Sequence, residues 1–350
     1  DVVVVGAGTS GLVTACAAAE SGAQVVLISA SSAPVCRGGS NNAVYSKTMR
    51  ELNIEPFDVN WFYRKEMLCN GNSIDHRKWY AHYNNSEEYM DWAIDKVEKA
   101  GGRCVIEMTT VGYDEKDPMW LPPQSHAFVN DEITSAGVGQ TIYVNALADE
   151  LVGMSGQIFY GMIAKQLVRG GVPNGTEGRV EAVIAQNADG QYVKYVGSKA
   201  IVMATGDFSK NLEMMERYCP WAMPLLTDTD TVNYDIGLVN GSLYHGDGHQ
   251  MELWVGAGWQ KNVPNAAMIG GLGVPTFCNQ PLRGNSGLVI NNRGQRFSNE
   301  DTIGALANRN ALTQPGGEVF SIWGTNYAVD GGPWYTNGNQ YGQETPLTTD

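Results

Sequence analysis

Three observations predict an α/β fold built on a buried parallel sheet. The chain opens on "DVVVVGAGTSGLVTACAAAESGAQVVLISAS": an apolar strand, a glycine-rich turn, a helix and a second strand. A later segment, "KAIVMATGDF", supplies another short apolar strand ending on a glycine turn. Hydrophobic residues make up 43% of the 350 positions, enough for a substantial core.

Val2 to Val5 form a continuous apolar run, the pattern of a strand covered on both faces. Gly6 permits a tight turn, Gly8 lets the backbone approach a pyrophosphate, and Gly11 lets the helix pack on the strand. Gly22 ends the helix, and the second strand runs from Gln24 to Ile28 and stops on Ser29. A G-x-G-x-x-G in this context is a dinucleotide-binding fingerprint, because free N–H groups at the helix start face the phosphates. The competing reading is a glycine-rich strand-helix turn with no ligand, and the loop alone does not separate NAD from FAD.

"APVCRGGSNNAVYS" reads as a loop with two adjacent glycines. A helical region covers broadly 58–100, with Ser86 as cap, Gly101 as stop, and Tyr89, Trp92, Ala93 and Val97 as its apolar face. "DPMWLPPQSHAF" is irregular and Pro-rich, and "GVGQTIYVNALADELVGMSG" is a helix. "QIFYGMIAKQLVRGG" and "RVEAVIAQNADGQYVKYVGS" are strands, with a hairpin turn over 187–190. "HGDGHQMELWVGAG" is a loop entering a helix, and "GLVINNRGQRFSNED" a strand, a turn and a return.

A net charge of −14, from 23 Lys and Arg against 37 Asp and Glu, argues against nucleic acid or an anionic membrane as a main partner. No apolar run has transmembrane length. The six cysteines form no C-x-x-C pair, so spacing indicates neither a metal site nor a disulfide framework, and free, mostly buried thiols are expected.

Five segments in order carry a family likeness: "DVVVVGAGTSGLVTA", "RGGSNNAV", "KAIVMATGDFSKNLEMMERYCP", "HGDGHQMELWVGAG" and "LRGNSGLVINNRGQRFSNE". The chain resembles the bacterial flavoproteins of the fumarate reductase and succinate dehydrogenase group. That group includes soluble fumarate, urocanate and enoate reductases and the ketosteroid dehydrogenases. The resemblance implies a Rossmann-like, glutathione-reductase-like FAD-binding domain over 1–268 and the start of an inserted α+β capping domain over 269–350. The C-terminal segment that closes the FAD domain is expected to be absent from this chain. The implied cofactor contacts are Gly6, Gly8, Thr9, Ser10, Gly11, Ser29, Ala30, Gly38, Gly39, Ser40, Asn41, Asn42, Ala164, Ala204, Thr205, Gly206, Asp207 and Asp247.

The implied activity is reduction of an activated C=C bond, an enoate or enone, by hydride transfer from flavin N5 with protonation by a protein acid. Dehydrogenation beside a ketone is the alternative within the class. A non-catalytic or electron-carrying flavoprotein subunit and a NAD-dependent Rossmann dehydrogenase are the alternatives outside it. An unsaturated small molecule and an electron donor (a cytochrome, a flavin domain or a reduced carrier) are the implied partners. The sequence does not decide between the cytoplasm and export.

Several positions depart from the group. Ser29 stands where the family usually places an acid for the ribose, and a hydroxyl cannot accept both ribose hydroxyls as a carboxylate does. Asp207 replaces the second glycine of the family's A-T-G-G turn. No His precedes His76, so the histidyl flavin link of membrane-bound relatives is not expected, and FAD should be non-covalent. Gly304 and Ala328 fall where fumarate-reducing members carry arginines, which makes a dicarboxylate an unexpected substrate. Tyr327 beside the second of these is a candidate proton donor or a packing residue. Glu300 with Arg296 is a candidate proton path or an ion pair stapling the cap. His126, where relatives have a polar loop near the flavin, is a candidate catalytic residue or a hydrogen-bonded structural one.

Overall fold

Four consecutive valines make the first strand, β1 (Val2–Val5), and both its faces are covered. The computed structural model describes residues 1–36, 39–56, 58–69, 74–107, 125–134, 136–220, 223, 244–260, 288–298, 310–311 and 313–322. β1 lies between β2 (Val25–Ile28) and β11 (Ala200–Met203), and β6 (Gln157–Phe159) completes a parallel sheet of order β11-β1-β2-β6.

Side chains alternate across this sheet. Val2, Val4 and Leu27 face one core with α1 (Thr9–Glu20), α4 (His76–Lys99) and α5 (Ala136–Gly153), among Leu12, Ile94, Val97, Leu147 and Leu151. Val3, Val5 and Ile28 face a second core with Leu167, Val183, Met251 and Val255. The latter residues come from β7 (Ile163–Arg169), β9 (Val180–Gln186) and the end of α7 (Asp247–Trp254). Burial on both sides is why the strands read as unbroken apolar runs, each full side chain contributing about 1.5–3 kcal/mol.

β7 and β9 belong to an antiparallel sheet with β8 (Val172–Pro173) and β10 (Tyr192–Val196), ordered β10-β9-β7-β8. The β9–β10 hairpin closes where the sequence places a turn, with Asn187 and Gln191 bonded across it and Gly190 at φ +79°. A third sheet sets β5 (Ser125–Val129) between β3 (Ser40–Asn42) and β4 (Arg103–Glu107). The short helices are α2 (Lys47–Glu51), α3 (Val59–Cys69) and α6 (Leu212–Tyr218). Lys47 pairs with Asp95 and Glu98, and Arg50 with Glu87 and Asp91, which clamps α2 onto α4.

Three expectations are corrected. Ser86 does not cap a helix. α4 starts eleven residues earlier, capped by Asp75, whose carboxylate accepts from the Arg77 N–H. Ser86 is buried mid-helix, and its Oγ accepts from the Val44 N–H at 3.1 Å, a tertiary partner that a local pattern does not reveal. Tyr89 lies off the buried face, which is Trp79, Ser86, Met90, Ala93, Ile94 and Val97. His126 sits in strand β5, not in an irregular loop, because "SHAFV" is buried between two partner strands.

Past residue 268 the described residues give β12 (Leu288–Asn291) paired with β13 (Val319–Ile322), and the turn after β12 brings Arg296 back beside Ile290. The domain boundary expected at 268 lies outside the described residues. Cys16 and Cys219 are buried free thiols, and Cys36 and Cys104 are half-buried free thiols. Among the described residues no helix is long and apolar enough to cross a membrane, and no cluster of metal-ligating side chains occurs.

Candidate functional site

β1, β2 and β11 end side by side, and the residues that follow them line a cleft of about 470 Å³. A cleft at the carboxyl edge of a parallel sheet, of a size between about 300 and 1,000 Å³, is the usual place for a cofactor or small ligand. Gly6, Gly8, Thr9, Ser10, Ser29, Ala30, Ala164, Ala204, Thr205, Gly206 and Asp247 all line it.

The three glycines of the first loop have different geometries. Gly6 turns the chain at φ +115°, and a Cβ there would lie 2.2 Å from the Ala204 carbonyl oxygen. A Cβ on Gly11 would lie 1.9 Å from the Gly6 carbonyl oxygen, so Gly11 is buried beneath the loop and packs the helix on the strand. Gly8 is different. A Cβ there would meet nothing nearer than the Val35 carbonyl oxygen at 4.0 Å, so no protein atom requires its absence. Gly8 caps α1 with no side-chain partner, and the first helical bond runs from the Leu12 N–H to the Gly8 carbonyl. The amides of the first turn therefore remain available to an anion.

Ser29 is 4% exposed. Its Oγ lies 2.8 Å from Ser31 Oγ, while the Ser31 hydroxyl donates to the Ala33 carbonyl at 2.7 Å. One hydroxyl has one proton, so Ser29 must donate to Ser31. The Ser31 N–H also points at Ser29 Oγ, at 3.3 Å. What Ser29 retains is acceptor capacity, the part a carboxylate would play for one ribose hydroxyl.

Other predicted residues lie elsewhere. Gly39 is buried, Ser40 begins β3, and Gly38 lies outside the described residues. The Asn41 amide donates to Gln140 Oε1 at 2.8 Å and to the His126 carbonyl at 3.4 Å. Asn42 Oδ1 lies 3.0 Å from His82 Nε2, and its carbonyl accepts from the Tyr89 hydroxyl. Both asparagine side chains are thus engaged by protein. Asp207 does not line the cleft, and its carboxylate accepts from the Ser209 N–H and hydroxyl in a tight turn. His126 is fully buried away from the cleft, with Nε2 2.7 Å from Ser46 Oγ, which in turn caps α2 by accepting from the Met49 N–H. Its imidazole braces a helix start. Arg296 is exposed, and Glu300 and Tyr327 lie outside the described residues.

The lining residues that sequence reading missed include Val35, Cys36, Met162, Tyr244 and His245. Tyr244 was legible in part, as the residue two before the capping Gly246. Its φ of +65° is unusual for a bulky side chain, and its carbonyl accepts from the Lys210 N–H at 2.9 Å. Cys36 lies two residues before the glycine pair, and burial pushes its thiol above the ordinary value of 9.0.

A family model described as "FAD binding domain" matches residues 1–318. A fumarate reductase (cytochrome) of Shewanella frigidimarina is 25% identical over 332 residues, covering 92% of this chain and 52% of that protein. A vinyl phenol reductase of Lactiplantibacillus plantarum is 24% identical over 347 residues, covering 92% of this chain and 61% of its own length. The chain therefore spans only part of the length of these relatives. Among solved structures, a 3-ketosteroid-Δ4-(5α)-dehydrogenase of Rhodococcus jostii shares the fold at a TM-score of 0.64 and 20% identity, covering 89% of this chain and 64% of that one.

Proposed function

The chain belongs to the FAD binding domain family, and from that premise we propose that it is the FAD-holding part of an oxidoreductase that reduces an activated carbon–carbon double bond. The observation that carries the reading is the cleft at the carboxyl edge of the sheet, where Gly8 leaves a space that no protein atom needs. When bound, FAD supplies hydride transfer.

The residues of this chain do the holding. The first-turn amides of α1 bind the pyrophosphate, aided by the helix dipole, worth about 0.3–1 kcal/mol for a nearby anion. Ser29 Oγ accepts from a ribose hydroxyl. The turn through Ala204, Thr205 and Gly206 passes close to the dinucleotide, and the glycine pair Gly38–Gly39 is assigned to the flavin ring, where backbone donors stabilise charge on the reduced form. FAD is held without a covalent link. Tyr327 donates the proton to the carbon beside the one that receives hydride, and Glu300 with Arg296 relays it. With Gly304 and Ala328 at the two arginine positions, the substrate is not a dicarboxylate; an enoate or enone bearing one polar group fits better, and the vinyl phenol reductase among the relatives supports this direction.

The test is the visible spectrum of the full-length protein, followed by acid precipitation. Flavin bands and free FAD in the supernatant are the expected result. Colour retained in the pellet would exclude the non-covalent site, and an absence of flavin would exclude the reading altogether. Tyr327→Phe is expected to abolish alkene reduction by a reduced dye while leaving the flavin spectrum unchanged; undiminished turnover would remove Tyr327 from the mechanism. The replaced arginine positions also favour a second reading, an electron-carrying subunit. Bound FAD that accepts electrons from a dye and reduces no alkene in a broad screen would select it.

A further inference from the structure

We infer that Gln140 fixes the direction of the Thr9 hydroxyl proton, and so positions that hydroxyl as a donor to an oxyanion of the bound dinucleotide. The inference rests on the FAD reading given above. Gln140 stands in the first turns of α5 and is 3% exposed. Thr9 opens α1 and lines the cleft. The two are distant in sequence, and a single side-chain amide joins them.

Chemistry sets the direction of each bond in turn. The His126 carbonyl oxygen can only accept, so the Asn41 group 3.4 Å from it is the amide nitrogen. That same nitrogen lies 2.8 Å from the Gln140 amide, and two donors cannot face each other, so Gln140 turns Oε1 toward Asn41. The other end of Gln140 is then Nε2, which donates to Thr9 Oγ1 at 3.3 Å. With Oγ1 accepting on the protein side, the hydroxyl proton is directed elsewhere, and Thr9 faces the cleft. A backbone carbonyl in β5 thus determines which way a hydroxyl points at the start of α1.

Among the described residues that line the cleft none is Lys or Arg, and Asp247 is acidic. Neutral donors, the α1 amides and suitably turned hydroxyls, therefore count there toward an anionic phosphate. The relay also ties the phosphate loop to β3, the strand that directly follows the glycine pair assigned to the flavin ring. One amide therefore links the two regions assigned to opposite ends of the cofactor.

Gln140→Glu tests the direction. It keeps an acceptor for Asn41 but replaces the donor to Thr9 with a second acceptor, which turns the Thr9 proton inward. Thr9→Val removes the hydroxyl. The readout is the FAD dissociation constant of the deflavinated full chain, followed by flavin fluorescence. Each single substitution is expected to weaken FAD by about tenfold, equivalent to about 1.4 kcal/mol. Adding Gln140→Glu to Thr9→Val is expected to weaken it by less than about twofold further, since coupled residues are not additive. A merely structural or electrostatic role would give the same loss in both backgrounds, and that result would overturn the inference. So would wild-type affinity in Gln140→Glu. If Gln140→Glu does not fold, Gln140→Met in the same cycle reads the same coupling. A wild-type chain that binds no FAD would overturn the functional reading as well, whereas additive losses in a chain that binds FAD would overturn this inference alone.

Discussion

Gly8 and Gly11 stand three residues apart in one loop, yet substitution to alanine is expected to affect different properties. At Gly11 the new Cβ would sit 1.9 Å from the Gly6 carbonyl oxygen, 3.0 Å from its carbon and 3.3 Å from Ala204 Cβ. The first two are backbone atoms and cannot rotate away, so the loop must shift. Overpacking of this kind costs about 1–3 kcal/mol. At Gly8 the nearest atom would be 4.0 Å away and the backbone is extended, at φ −80° and ψ 176°. Alanine there loses the capping preference of glycine, on the order of 1 kcal/mol, and gains about 0.4–1 kcal/mol from a stiffer unfolded chain. The two terms nearly cancel. Gly8→Ala is therefore expected to keep the thermal stability of the FAD-free protein while lowering FAD affinity at least tenfold. Gly11→Ala is expected to lower stability with or without FAD. Calorimetry of the FAD-free proteins, with fluorescence titration of FAD, measures both. Wild-type FAD affinity in Gly8→Ala, or equal loss of stability in the two variants, would refute the assignment of Gly8 to the ligand and Gly11 to the fold.

Three further outcomes are expected. Ser29→Ala removes the acceptor offered to the ribose and is expected to weaken FAD about fivefold, on the order of 1 kcal/mol; an unchanged titration would leave Ser29 a structural residue. Ser46→Ala strips Met49 of its cap and His126 of its partner, and is expected to cost about 1–2 kcal/mol in urea unfolding with FAD affinity of the folded protein unchanged. Burial alone would raise the Glu150 carboxyl, but the Lys96 and Lys99 ammonium groups outweigh it and hold the group below its ordinary 4.5. Because the folded value is the lower one, this stabilisation is complete above the ordinary glutamate range and is lost as pH falls through the folded value. The stability gap between wild type and Glu150→Gln is thus expected to be open at neutral pH and to close in acid; a gap of constant size would contradict the pairing.

The loop between β1 and α1 was legible because its signal is local. Strand, three glycines and helix follow within a dozen residues, and each glycine answers a nearby steric demand or leaves a nearby space. The hairpin at Gly190 and the helix stop at Gly101 were legible for the same reason. Long-range partners were not. Ser86 looked like a cap because serine often is one, but its hydroxyl answers an amide forty-two residues away. His126 looked like a loop residue because prolines precede it, yet two strands distant in sequence enclose it. Gln140 carried no sequence signal at all, since its partners lie 99 and 131 residues away. Burial between elements, not local propensity, decided each of these.

The pairing of β1 has a consequence for the order of assembly. β1 emerges before both its neighbours during synthesis, and one of them, β11, comes nearly two hundred positions later, with Val2 opposite Ala200. Until then four valines form an open edge, a ready template for adhesion to another chain. The turn from Ala204 to Gly206 arrives with that same strand, and the last lining residues, Tyr244 to Asp247 and Met251, arrive later still. A nascent chain therefore cannot grip its dinucleotide early. Protection of the exposed valines waits on a contact of long sequence separation, the kind that forms slowly.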